Sequence, residues 1–152
     1  MSWDGALTAL ETALNSAAAT VNALGPHKDP FTVHAGEPYS ALPRQIRYWY
    51  EGDQEAGNTL TRENVEEKIT IRWYWPIVNR DDTWISELEV ELQAANRATH
   101  AALLGNTHLD EHVIALRIDE TTTGWQQRGE GWIRVLNIPV RLDMAEVSTI
   151  AN

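Results

Sequence analysis

Leu7, Leu10, Leu14, Ala17, Val21 and Leu24 recur at alternating intervals of three and four, which places them on one stripe of a helix. Ser2 or Asp4 can cap its start and Gly25-Pro26 can stop it, so a helix is predicted over 1–25. The other face, with Thr8, Glu11, Asn15 and Asn22, is small and polar, so this helix should pack on one side only. A coiled coil is not favoured by so short a stripe. From Pro30 the period changes to two. Phe31-Thr32-Val33-His34 predicts a short strand, and Gly36 to Pro43 an irregular connector. Ile46-Arg47-Tyr48-Trp49-Tyr50 and Ile71-Arg72-Trp73-Tyr74-Trp75 resemble each other and predict the two arms of a hairpin. Alternation sends Ile46, Tyr48, Tyr50, Ile71, Trp73 and Trp75 to one face. Arg47, Trp49, Arg72 and Tyr74 go to the other.

Between these strands the stretch 51–67 holds Glu51, Asp53, Glu55, Glu63, Glu66 and Glu67 against one Arg62, with Gly52, Gly57 and Asn58. It is too polar for core and too long for a tight turn, so 30–78 reads as a short strand plus an aromatic hairpin with a protruding acidic loop. A second helix is predicted over 82–104, capped by Asp82 or Thr83 and ended by Gly105-Asn106. Ile85, Leu88, Leu92, Ala95, Thr99 and Ala102-Leu103 form its buried stripe, with Glu87, Glu91 and Arg97 outside. A closing hairpin is predicted over 111–144, from His112–Asp119 and Trp132–Leu142, joined by a flexible loop, Thr121 to Gly131. Pro139 removes a ladder donor and suggests an edge strand or a bulge. Residues 145–152 read as a loose tail. The predicted class is α+β in a single domain: a mainly antiparallel sheet of two hairpins, with two amphipathic helices on one side.

Composition narrows the function. At 152 residues one domain can bury a sufficient core without a staple. Cysteine is absent, which removes disulfides, thiol catalysis and Cys-ligated zinc. A formal charge of −10 argues against a domain that grips nucleic acid. Met1-Ser2-Trp3-Asp4-Gly5 lacks a basic, then apolar, leader, and no apolar run reaches the roughly 20 residues of a membrane span, so a soluble intracellular chain is expected. Seven Trp and four Tyr stand against one Phe, a preference for aromatics with a polar handle, as at interfaces.

Catalytic chemistry finds little support. His108-Leu109-Asp110-Glu111-His112 has the letters of an inverted zinc-protease motif, but that motif needs a helix to bring both histidines to one side. Here it follows a helix stop and leads into a strand, so no metal is expected. His27 and His34 are isolated near turns. The acidic pairs, such as Asp81-Asp82, are sequence neighbours and suit capping or solvation. Gly129-Glu130-Gly131 leads into a strand and fails the dinucleotide-binding pattern. No cofactor and no catalytic residue are assigned.

The order of elements carries a resemblance. An amphipathic helix, an aromatic hairpin with a long polar segment, a capped helix opened by Trp84 to Leu88, and a closing hairpin resemble the tail terminator proteins of long-tailed phages. The resemblance implies a ring of copies, typically six, on the last ring of the tail tube. There it would stop growth and offer a joining surface to the head's neck. It implies as partners other copies of the chain, the tail tube protein and a head-neck protein, with DNA passing through unbound, and a place in the virion. A ring needs two different patches per copy. Arg47, Trp49, Arg72 and Tyr74 are the candidate interface, and Glu51, Asp53, Glu55, Glu63, Glu66 and Glu67 would dock on the tube or line the DNA channel. A neck or head-completion protein is the nearest alternative. A small α+β cone fold holding a ligand among Trp73, Trp75 and Tyr48 is the alternative from another class.

Overall fold

Ser2 stands in extended backbone and its hydroxyl accepts from the N–H of Gly5 at 3.0 Å, so helix α1 (Trp3–Asn22) starts on one of its expected caps. The computed structural model describes residues 2–25, 28–38, 44–58, 63–77, 81–129 and 131–146, with backbone alone at 53–58, 63–64, 128 and 145–146. The buried stripe of α1 is Ala6, Ala9, Leu10, Ala13, Leu14, Ala17, Ala18 and Val21, while Leu24 lies beyond the helix and is exposed. Asn22 does not face solvent as expected. It accepts from the N–H of Phe31 at 2.7 Å and donates to the same residue's carbonyl at 3.2 Å, a clamp across the turn into the sheet.

The described residues form six strands: β1 (Thr32–Ala35), β2 (Gln45–Asn58), β3 (Glu63–Pro76), β4 (Ala115–Ile118), β5 (Thr122–Arg128) and β6 (Gly131–Glu146). Their order is β1-β2-β3-β6-β4, with β5 also on β6, and every pairing is antiparallel except β1 with β2. The fold is α+β. The register sets Ile46 opposite Trp73 and Tyr48 opposite Ile71, with Leu136 and Ile138 next across the sheet. This is the face the alternation predicts, and α1 and α2 (Asp82–Leu104) cover it. Trp73 and Trp75 stack at 5.9 Å between centroids, and Phe31 meets both edge-on at 5.0 and 5.2 Å.

Several local expectations change. The acidic stretch 51–67 is not a loop: β2 runs to Asn58 and β3 starts at Glu63, leaving 59–62 outside the described residues. Ladder hydrogen bonds need no apolar side chains, and bulges at Tyr50/Gly52 and Glu55/Gly57 absorb the glycines. The expected loop Thr121 to Gly131 is mostly strand β5, paired with β6 and turned at Gly129, whose φ of 60° suits glycine. The strand expected from His112 begins at Ala115, because Leu109, Asp110 and Glu111 make a left-handed turn at φ 43°, 56° and 68°. The side-chain amide of Asn106 accepts from Asp110 N–H and donates to its carboxylate, both at 3.0 Å, which holds that turn. Pro139 lies in a strand flanked on both sides, not at an edge. Its carbonyl accepts from Asp119 N–H at 2.9 Å, and a strand residue points its N and O to the same side. The missing donor therefore faces the break between β4 and β5, where it costs no ladder bond. Residues 145–146 continue β6 instead of starting a tail, while 147–152, His27, 39–43, Asn79, Arg80 and Glu130 lie outside the described residues.

Helix α2 is capped by Asp81, one residue before the expected pair. Its carboxylate accepts from Trp84 N–H at 2.8 Å. Glu91, expected on the outer side, is buried at 3% exposure. Lys28 and Arg44 reach it from the segments before β1 and β2, at 2.8 and 2.5 Å, and Arg44 also lies over the ring of Phe31. Pairing is what lets this carboxylate leave water.

Candidate functional site

Among the described residues no helix covers the opposite face of the sheet, and the sequence-predicted residues divide there. Arg47 and Arg72 sit directly opposite each other on β2 and β3. Arg47 donates to the side chain of Gln45 at 3.0 Å and to the carbonyl of Ala35 at 3.1 Å. Arg72 donates to Asn137 on β6 at 3.2 Å and lies over the Trp49 ring, 5.0 Å from its centroid. The Trp49 indole donates to Glu51 at 2.7 Å, and Thr70 donates to the same oxygen at 2.9 Å. Arg47, Trp49 and Arg72 are therefore one half-buried cluster with Glu51 at its margin. Tyr74 does not join it as a surface group. It is 1% exposed and packs with Ile133 and Val135 in a second small apolar cluster on this side of the sheet.

The acidic residues divide in the same way. Glu66 is buried at 5% exposure and bound by Arg117 and Arg141, the latter at 3.0 Å. Arg141 also binds Asp119 at 2.6 Å, and Arg117 reaches Asp143 at 3.4 Å. Hydrogen bonds to Asp119, then Glu66, raise Arg141 above the ordinary arginine range. This five-residue lattice ties β3, β4 and β6 together, so Glu66 belongs to the sheet and not to a free acidic surface. Glu67 is half-buried. Asp53, Glu55 and Glu63 lie on the outer halves of β2 and β3, with side chains outside the described residues.

The histidines take local roles. His112 accepts the N–H of Ser2 at Nδ1, 3.1 Å away, and packs its ring on Gly5. His34 contacts the hydroxyl of Thr32 at 2.8 Å, and His108 is exposed. Trp73 and Trp75 are packed under the helices, and Tyr48, also buried there, lines one side of a cleft of about 210 Å³ with Trp3, Leu7, Tyr50 and Ile69.

One feature escapes the sequence reading. Trp125 and Trp132 are 48% and 41% exposed and, with Ile77 and Ile85, line an apolar cleft of about 460 Å³ beside the start of α2. Arg134 stacks on Trp125 and binds Glu89 at 3.2 Å. Alternation puts Trp132 on the same side as Leu136 and Ile138, a pattern that reads as core and gives no sign of exposure.

No protein family matches this chain, and no curated protein matches it. Among solved structures, it is similar in fold to a chain from the virion of a native gene transfer agent (GTA) particle. That chain is 14% identical, with a TM-score of 0.55, over 90% of this chain and 92% of its own. A second solved chain reaches 16% identity and a TM-score of 0.46 over 95% and 96% of the two chains, which is too distant to carry weight. Among the described residues no helix is long and apolar enough to cross a membrane.

Proposed function

We propose that this chain is a structural component of a phage-like virion and, within it, the tail terminator: a ring that caps the tail tube, ends its growth and meets the head. The observation that carries the reading is the likeness of fold to a chain of the GTA virion particle across nearly the whole length of both. The element order that resembles tail terminators supports the finer assignment. The cluster of Arg47, Trp49 and Arg72 supplies an assembly surface with hot-spot chemistry. The Trp125/Trp132 cleft supplies a second, different patch, as a closed ring of identical copies requires. The partners are further copies of the chain, six in a full ring, with the tail tube protein on one side and a head-neck protein on the other. DNA crosses an acidic bore without binding. The role is mechanical, and no catalytic residue is assigned.

The test is assembly of the tail tube protein with and without this chain, read by negative-stain electron microscopy. Tubes of limited length closed at one end by a ring are expected. Tubes that grow without limit in its presence, with no ring at their ends, would sink the terminator assignment. An immunogold label found on head particles that lack tails would assign the chain to the neck instead.

A further inference from the structure

One edge of the sheet is guarded and the other is bare. At the first edge β1 covers only 45–48 of β2, and beyond it bulges at Tyr50/Gly52 and Glu55/Gly57 bend the strand, which discourages further pairing. At the other edge β4 and β5 lie one after the other along β6. β5 runs in unbroken register from Thr122 to Arg128 and holds no proline, lysine or acidic residue. Its backbone direction follows from two bonds on β6: the carbonyl of Pro139 accepts from Asp119, and that of Trp132 accepts from Ile77 just after β3. Odd residues of β6 therefore turn toward β4 and β5, and even residues toward β3. Thr122, Gly124 and Gln126 pair with Asn137, Val135 and Ile133, so their N–H and C=O groups are directed at β6. Those of Thr123, Trp125 and Gln127 point away from the sheet, with no ladder partner among the described residues.

A cleft lies beside β5 on each face of the sheet. On the helix side Trp125, 48% exposed, borders the apolar cleft with Trp132, Ile77 and Ile85. On the other side a polar cleft of about 220 Å³ is bordered by Arg72, Thr122, Gln126 and Asn137. Gly124 also borders it, and a Cβ added there would meet nothing within 4 Å, so the way across β5 into this cleft is open. Arg72 donates to Asn137 and lies over Trp49, and among the described residues it meets no carboxylate, although the chain has 22 acidic residues against 12 basic ones. An acidic side chain entering the cleft would find its charge partner there, with hydroxyl and amide donors around it.

We infer that β5 is a receptor edge for an extended segment of a partner protein, one whose residues alternate between apolar and acidic. The segment adds a strand: Thr123, Trp125 and Gln127 supply the ladder, the tryptophan cleft takes its apolar side chains and the Arg72 cleft its acidic ones. Alternation is required because successive side chains of the added strand fall on opposite faces of the sheet, and here one face is apolar and the other cationic. A second copy of the chain fits less well. Its edge strand β1 is four residues long, Thr32 to Ala35, and has no acid. The contact is independent of the tail terminator role.

The probe is a synthetic heptapeptide that alternates leucine and glutamate, carries a fluorophore and is titrated with the full chain by anisotropy. A peptide with lysine in place of glutamate is expected to bind at least about tenfold more weakly. Arg72→Gln should cut that preference below about threefold, while circular dichroism shows the variant folded. N-methylation tests the ladder. Leucine amides face β5 if the added strand is antiparallel and glutamate amides if it is parallel, so methylating one set should abolish binding and methylating the other should spare it. In hydrogen exchange followed by NMR, the amides of Thr123, Trp125 and Gln127 should gain protection with the peptide, while those of Gly124 and Gln126 change little. No binding, equal binding of the glutamate and lysine peptides, loss on both methylations or on neither, or unchanged exchange at Thr123, Trp125 and Gln127 overturns the proposal. Protection of those amides in the chain alone, rising with its concentration, would assign the edge to a second copy and overturn it as well. Every measurement uses the free chain, so failure here leaves the tube assay to decide the terminator role by itself.

Discussion

The indole N–H of Trp73 donates to the hydroxyl of Thr99 at 3.1 Å, with both residues at 0% exposure. Thr99 in turn donates to the carbonyl of Ala95 one turn back. One hydroxyl thus joins the middle strand of the sheet to the C-terminal third of α2, and one of the two buried core tryptophans is oriented by it. Thr99→Val keeps the volume and leaves a buried N–H without an acceptor. We expect a loss of about 1–3 kcal/mol in urea unfolding, whereas Thr99→Ser should lose much less. Equal losses for the two would assign the effect to packing.

The buried carboxylate of Glu91 holds Lys28 and Arg44, so Glu91→Ala should cost about 3–5 kcal/mol by stranding Arg44 and leaving Lys28 with Glu87 alone. The pH dependence follows from Lys28. Burial by itself lowers its pKa, but the hydrogen bonds and charges of Glu91 and Glu87 outweigh this and raise it above the ordinary 10.5. A raised value in the folded state means the contribution is fully present below 10.5 and is lost as pH climbs through the folded value. Chemical denaturation of Lys28→Met should show a shallower alkaline decline than the parent; identical slopes would exclude Lys28 as its source.

Tyr48 donates its hydroxyl to Glu11 at 2.7 Å, and burial followed by that bond pushes its pKa up to about 12. The folded state holds this proton more tightly than the unfolded chain. Stability from Tyr48 is therefore complete below pH 10 and fades as pH rises toward 12. In an ultraviolet titration of the phenolate band, Tyr48→Phe should delete the component near pH 12 and leave earlier ionisation alone. Loss of a component near pH 10 would contradict the environment described.

A methyl group at Gly5 would stand 2.3 Å from Nε2 of His112. Gly5→Ala should therefore destabilise by about 1–3 kcal/mol through overpacking, against its helix-propensity gain of about 1 kcal/mol. In a His112→Ala background the sign should reverse and Gly5→Ala should raise the melting temperature. Thermal unfolding of the four variants gives the cycle, and additivity would show that the two residues do not meet.

Much of this architecture is legible in the linear chain because it depends on local periodicity. The three-four spacing of Leu7 to Val21, the alternation around Ile46 and Trp73, and the bounds of α2 at 82–104 follow from how helices and strands aim side chains. These features set the α+β class and the face of the sheet that packs on the helices.

Long-range pairing decided the remainder. The stretches 51–58 and 122–128 look like loops because backbone ladders, not apolar side chains, hold them in the sheet. Tyr74 and Trp49 share a face by alternation, yet Ile133 and Val135 bury one while the other stays at the surface. Glu66 and Glu91 look solvated until Arg117, Arg141, Lys28 and Arg44 arrive from distant elements. A periodic pattern reports which side of an element a residue is on. Whether that side meets water, an ion partner or an apolar neighbour is fixed by contacts between residues far apart in the chain, and those exist only in the folded molecule.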